Sequence, residues 1–245
     1  MLTRKRVRLQ SENAEVEEEK GMEFYRNIYY RYVSPTGRVS GENIFAQTDE
    51  FIVLIYNQPK SSLHLLLLPK QTFLNVKSCR ELSPTNLEKI QRLHSAAAII
   101  VDHLISESTL ANSLLEVNCS VLEEKLSVPT FTNTESLKNS PRIKMGYHAL
   151  PSFEPLHIHI LTDDFNSTWL KTRRQWNTFN SAFFLDCSSI EEWLSSNYNI
   201  EDLLPDNEEL EIYLRNPIKC LHCQSAMKDI RTLKAHLAAE HRNIS

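Results

Sequence analysis

Glycine is scarce in this sequence, at four in 245 residues. Three of the four lie at or before Gly41 and only Gly146 comes later, so the body of the chain has no Gly-rich phosphate loop, which excludes P-loop and Rossmann readings. Long apolar runs are also missing. The longest, Phe51 to Tyr56 and Leu63 to Leu68, have the length of buried strands and fall far short of a bilayer crossing, so no membrane partner is expected. Met1 to Arg8 is basic with no apolar stretch behind it, which is not a secretory signal. Lys5 and its three Arg neighbours form a short run of the kind used in nuclear import or nucleic-acid contact, a pattern that also arises by chance. The five cysteines are odd in number and uneven in placement, so a disulfide framework is not expected; Cys79, Cys119 and Cys187 read as buried small hydrophobes of a reducing compartment. A net charge of −4 argues against coating nucleic acid non-specifically, although Glu12 to Glu19 alone hold five acids and can mask a local basic surface.

What is present is an ordinary globular balance, 41% hydrophobic and 24% charged, in a chain long enough for one sizeable core plus a small extra module. Residues 1–40 read as a partly disordered N-terminal extension, with Phe24 to Val33 docking as a short helix or strand. Ile44 to Asn57 predicts two strands around Thr48-Asp49-Glu50, and Leu63 to Leu68 a third ending at Pro69. Ser83-Pro84 is a helix start, and the apolar spacing from Leu87 to Val101 predicts one long amphipathic helix to about Ser106, with His94 and His103 on its polar face or at its end. The stretch of about 109–140 is rich in Ser, Thr and Asn and reads as a partly looped insertion. Arg142 to Ala149 then alternates as a strand. Residues 41–187 are the expected principal domain, 188–214 an acidic helical linker and 215–245 a separate finger.

The chemistry concentrates between Gly146 and Leu161. From Leu156 to Leu161 histidines alternate with branched apolar residues, and the period of two on a strand puts His157 and His159 on one face while Leu156, Ile158 and Ile160 point into the core. His148 stands nine residues upstream, before a bend at Pro151, so a strand, turn, strand path can return it to the same wall. Near the C-terminus, Cys220-Leu221-His222-Cys223, twelve residues, His236, four residues and His241 is the spacing of a two-Cys, two-His zinc finger. Two thiolates on a knuckle and two imidazoles one helical turn apart close a tetrahedral shell, so the zinc is expected to be structural.

Pro155-Leu156-His157-Ile158-His159-Ile160-Leu161 resembles the His-φ-His-φ-His-φ-φ motif of the histidine-triad (HIT) nucleotide hydrolases and transferases, with Pro155 in place of the first His. Gly146-Tyr147-His148-Ala149-Leu150-Pro151-Ser152 and the segment Asp164-Phe165 to Phe179 are similar to the aprataxin branch of that family, the DNA 5′-adenylate hydrolases, and the likeness extends through the finger. The resemblance implies an α+β fold, a HIT-like antiparallel sheet with a long helix plus a small C-terminal zinc finger. It implies His157 as nucleophile, His159, His148 and Ser152 as supporting groups, and Lys60 and His64 at the nucleoside. Lys171, Arg173 and Arg174, beside the site, and Arg231 and Lys234 on the finger fit contact with DNA phosphates. The implied substrate is nicked or broken double-stranded DNA with a 5′-AMP end, the product AMP, the acting unit a monomer and the location the nucleus, with the cytoplasm as a second. No segment resembles the forkhead-associated module of animal aprataxins, so docking on phosphorylated repair proteins by that route is not expected. Two alternatives stay open: a degenerate HIT adaptor that only binds nucleic acid, and a generic HIT hydrolase of small AMP esters.

Overall fold

A computed structural model of the chain describes residues 28–35, 43–106 and 143–241. Residues 1–27 and 36–42 of the N-terminal region, the insertion, Cys119 and Arg142 fall outside them. A four-residue helix, α1 (Tyr30–Val33), precedes three strands, β1 (Ile44–Gln47), β2 (Phe51–Ile55) and β3 (His64–Pro69). Ser83 and Asn86 then form a reciprocal capping box around Pro84, and the long helix α2 (Leu87–Ser106) follows. Strands β4 (Ile143–His148) and β5 (Ile158–Thr162) lead to helix α3 (Arg173–Phe179), strand β6 (Phe184–Asp186) and helices α4 (Cys187–Ser195), α5 (Ile200–Leu203) and α6 (Asn207–Arg215). The finger consists of β7 (Ile218–Lys219), β8 (Ala226–Met227) and α7 (Ile230–Glu240).

The first six strands form one sheet in the order β1-β2-β3-β5-β4-β6, with every neighbouring pair antiparallel. Alternation divides its side chains into two layers. Leu65, Leu67, Met145, Tyr147, Ile158 and Ile160 face the principal core, which α2 fills with Ile90, Leu93, Ala97 and Ile100. On the other face, Tyr32 and Val33 of α1 pack on Ile52, Leu54, Leu66 and Leu68. The histidines occupy this second face, between α1 and α3.

Two sequence expectations change. Residues 188–214 are not a linker, because Ile190, Leu194, Ile200, Leu210 and Leu214 are buried in the principal core. Most of their acids lie on the outer sides of α4 to α6, while Glu191 turns in toward α2. His94 is not on a polar face either: it is buried, 2.9 Å from Tyr147 Oη through Nε2 and 3.1 Å from Glu191 through Nδ1. Helix α4, packed against α2, covers the face that the isolated helix pattern leaves to water. Gly146, by contrast, has a local reason: a Cβ there would lie 2.7 Å from the Phe184 ring, closer than any real side chain tolerates, so only glycine lets β6 and Phe184 close over the strand.

Candidate active site

The strand registers decide which side chains meet. His159 on β5 is opposite Leu66 on one side and Gly146 on the other, which places it midway between His64 on β3 and His148 at the end of β4. The rings of His148 and His159 lie 4.1 Å apart, those of His157 and His159 4.9 Å apart and nearly perpendicular, and His64 Nε2 is 2.9 Å from His159 Nδ1. All four histidines are buried.

Their fixed neighbours assign the protons. The carbonyl oxygen of Pro155 lies 2.8 Å from His157 Nδ1 and can only accept, so Nδ1 carries the hydrogen and Nε2 keeps a lone pair. The backbone N–H of Lys60 donates to His64 Nδ1 at 3.1 Å. His64 must then hold its own hydrogen on Nε2 and donate it to His159 Nδ1, which leaves the hydrogen of His159 on Nε2. The Nε2 atoms of His148, His157 and His159 are all buried without a hydrogen-bond partner among the described residues. One is therefore a lone pair, one a donor, and no hydrogen bond among the described residues assigns the third.

Burial keeps these rings neutral. It pushes His157 down to about 4 and His64 down to about 3, the latter with the positive charge of Lys60 nearby, and holds His148 and His159 well below the usual imidazole range. An unfolded histidine takes its proton near pH 6.5. Between that value and the lower ones in the fold the unfolded chain binds more protons, so this contribution to stability is whole above about 6.5 and is lost as pH falls toward 4. The melting temperature should drop by at least about 5 °C between roughly pH 7.5 and 5. His157→Gln should remove part of that drop, because glutamine takes no proton; an identical pH profile would show that His157 is not buried as a neutral ring.

The finger's donors converge as their spacing predicts. Atoms of Cys220, Cys223, His236 and His241 lie within 4.8 Å of one another. Cys223 Sγ is 3.2 Å from His236 Nε2, which is 3.2 Å from His241 Nε2. That separation is close to the edge of a tetrahedron with zinc–nitrogen bonds of about 2.0 Å, so two soft thiolates and two imidazoles in this arrangement fit zinc. Hydrogen bonds from Ser225 are the main reason the Cys223 thiol sits low, at about 5, which favours the thiolate such a site needs. The finger is not a separate body, however. Ile218, Cys220, Ile230 and Leu233 share one apolar cluster with Leu161, Phe165, Trp176 and Phe179 of the HIT-like part. Trp176 Nε1 donates to the Lys219 carbonyl at 3.1 Å, and Asn177 Nδ2 to those of Leu214 and Asn216 at 3.2 and 2.8 Å.

Comparisons with known proteins agree with both halves. A family model described as "Scavenger mRNA decapping enzyme C-term binding" matches residues 35–175, more than half of the chain, and one described as "C2HE / C2H2 / C2HC zinc-binding finger" matches 180–243. The aprataxin-like protein of Saccharomyces cerevisiae is 24% identical over 229 residues, covering 88% of this chain and 95% of that protein. The chain belongs to the aprataxin-like HIT family. Aprataxin of Ciona intestinalis is 27% identical over 195 residues, 79% of this chain and 42% of its own length, so this chain spans less than half of that curated relative. The solved aprataxin ortholog Hnt3 in complex with DNA has a TM-score of 0.55 at 25% identity, covering 90% of this chain and 96% of that one.

In this aprataxin-like chain Pro155 replaces the first motif histidine, yet its backbone carbonyl still orients His157, which a missing side chain does not affect. Several residues line the site that the sequence does not assign to it. Phe153 stacks on His157 with centroids 4.3 Å apart, Tyr29 packs on Phe153 at 4.6 Å, and Tyr56 lies 4.7 Å from His64. Phe179 meets His64, His148 and His159 in edge-to-face contacts. Ser152 is exposed on the bend. Lys60 is buried, donates from Nζ to the Gln58 carbonyl at 2.8 Å, and is lowered to about 8 by burial and then by the charge of Lys171.

The cationic track is thinner than the sequence implies. Lys171, Arg173 and Arg231 are exposed. Arg174 instead makes a two-pronged ion pair with Glu211 on α6, and Lys234 donates to the Ser167 carbonyl. Lys234 thus ties the finger helix to the Ser167 loop, and Arg174, though still exposed, is paired with α6, so each cation has an acceptor that folding brings across from another element.

Proposed function

We propose that this chain hydrolyses 5′-adenylated DNA ends, releasing AMP and a DNA 5′-phosphate, through a covalent adenylyl-histidine. The observation that carries the proposal is the trio of buried, unpartnered Nε2 atoms, two of them with opposite and assigned hydrogen-bonding roles. The His157 lone pair attacks the adenylyl phosphorus, a P–N bond forms, and the phosphoanhydride bond to the DNA breaks. The adduct carries a positive charge on the ring, which the Pro155 carbonyl stabilises through Nδ1–H. Water then attacks the same phosphorus, gives up a proton to solvent or to His148, and the P–N bond returns its electron pair to His157. His159 donates to a non-bridging oxygen throughout. The aromatic wall of Tyr29, Tyr56 and Phe153 suits the nucleoside, and Lys60 its phosphate. Zinc, when bound in the finger, supplies structure, since four protein ligands leave it no open position.

The relay is testable apart from the nucleophile. His64→Ala removes the hydrogen bond that fixes the His159 tautomer, and should lower kcat by about 100-fold with little change in KM, the loss expected for one transition-state donor. His64→Gln, whose amide can still donate, should recover part of the rate. His159→Ala should slow the chemical step similarly while nicked-DNA binding stays nearly unchanged. A loss confined to KM would sink the relay.

A second reading, hydrolysis of small AMP esters, gains from Arg174 and Lys234 being engaged within the protein. The assay that decides offers a 5′-adenylated nicked duplex and AMP-lysine side by side. Rapid AMP release from DNA alone supports the proposal, and equal use of both supports the second reading.

A further inference from the structure

The strand that delivers His148 ends in a grip from two adjacent residues. Cys79 and Arg80 open a short 3-10 turn (Cys79–Glu81) between β3 and α2. Cys79 Sγ lies 3.4 Å from the His148 carbonyl oxygen, and Arg80 Nε donates to the next carbonyl, that of Ala149, at 2.9 Å. Burial pushes the Cys79 thiol up to about 12, so it keeps the hydrogen it donates. Just before this turn, the Val76 carbonyl accepts from the Leu156 N–H at 3.1 Å, beside His157. One connection thus holds both arms of the bend that runs from His148 to His157.

Arg80 carries the grip further. Its side chain is 15% exposed and its guanidinium is committed in two more directions: Nη2 donates to the Pro205 carbonyl at 2.7 Å, and Nη1 to both carboxylate oxygens of Glu201 at 2.8 Å. A planar fork that donates to three segments at once fixes their spacing, which a lysine on a flexible stem does not. His148 depends on such a fixed backbone. No described residue bonds its Nε2, so the ring is placed by β4 and by packing against His159, Phe179 and Phe183. We infer that Arg80 is a positioning residue for His148, holding its imidazole where it meets the water that hydrolyses the adenylyl-histidine. In that step the water oxygen bonds to phosphorus, the P–N bond returns its electron pair to His157, and His148 takes the proton that the water loses.

This inference rests on the proposed covalent hydrolysis, and the test separates the two. Formation and decay of the adenylyl group on His157 are timed in alkali-quenched reactions with an adenylated nicked duplex, for wild type, Arg80→Ala and Glu201→Gln. Arg80→Ala should slow decay about tenfold while leaving formation and kcat/KM unchanged, because the defect follows the first bond-breaking step. Glu201→Gln, which keeps both carbonyl contacts of Arg80, should behave as wild type. In a His148→Ala background, Arg80→Ala should slow decay no further. Equal slowing of formation and decay, or an undiminished further loss without His148, would make Arg80 a general support of the fold and overturn the inference. Where Arg80→Ala does not fold, Arg80→Lys should show the same split in smaller measure, and wild-type rates for both steps there overturn it equally. If wild type releases no AMP or forms no adduct, the hydrolase proposal fails, and the magnetic resonance signals of the His148 imidazole then decide on Arg80 alone. Arg80→Ala or Arg80→Lys should move them and Glu201→Gln should not; signals that stay in place overturn the role of Arg80.

Discussion

Replacing His157 by alanine should abolish turnover of adenylated DNA, with a loss of at least about 10,000-fold in single-turnover rate. The reason lies in what remains. Among the described residues, the other buried imidazoles near the site are constrained away from attack: His159 presents a hydrogen, not a lone pair, and both nitrogens of His64 are committed. Lys60 is an amine close by, but its Nζ donates to Gln58 and its charge persists below about 8. His148 sits on the far side of His159 from His64, and no described residue bonds its Nε2 to orient a lone pair. Binding should survive the substitution, since His157 is a buried ring and the aromatic wall is unchanged apart from the Phe153 stack. Single-turnover AMP release checks the prediction, and a protein retaining even a hundredth of the wild-type rate would overturn the assignment of the nucleophile.

The second large effect concerns the metal. Chelation, or Cys223→Ser, should remove zinc, unfold the finger and reduce hydrolysis of both adenylated DNA and AMP-lysine by about tenfold or more. The sequence alone points elsewhere, to a separable module whose loss unfolds residues from about 217 onward and weakens only the DNA substrate. The packing argues against that division of labour. Cys220 and Leu233 lie in the same cluster as Trp176 and Phe179, and Phe179 is the ring that abuts His64, His148 and His159. Loss of the finger therefore removes support from beneath the site. Zinc content by plasma emission, with kinetics on the two substrates, measures this. Full AMP-lysine activity in a zinc-free protein would restore the picture of an independent clamp.

Much of this site was legible because its signals are local and periodic. The alternation of His157 and His159 with Ile158 and Ile160 needs only the two-residue repeat of a strand, and the Cys and His spacing of the finger needs only a knuckle and one helical turn. What stayed hidden depends on pairings between distant segments. His64 is expected from the sequence at the nucleoside, and only when β3 is set beside β5 does it become the donor that fixes His159. Arg174 and Lys234 read as free cations until α6 and the Ser167 loop supply their acceptors. The acidic stretch 188–214 looks like a linker because its charges are visible in sequence, whereas the buried positions of its short helices belong to no long repeat. Phe153 and Phe179 carry no polar atom, so nothing in their chemistry separates a ring that packs on a nucleophile from one that merely fills a core.

The central claim is that a neutral His157, with its hydrogen on Nδ1, attacks phosphorus through Nε2. The most direct measurement quenches a reaction with excess adenylated nicked duplex in alkali, where a phosphoramidate survives, and maps any adduct by peptide mass spectrometry at a series of times. The account predicts one adenylyl group, on the peptide containing His157 and on that residue, rising and decaying with rates that reproduce turnover. An adenylyl group on Lys60 or His148, or AMP release at full rate with no adduct at any time, would contradict it.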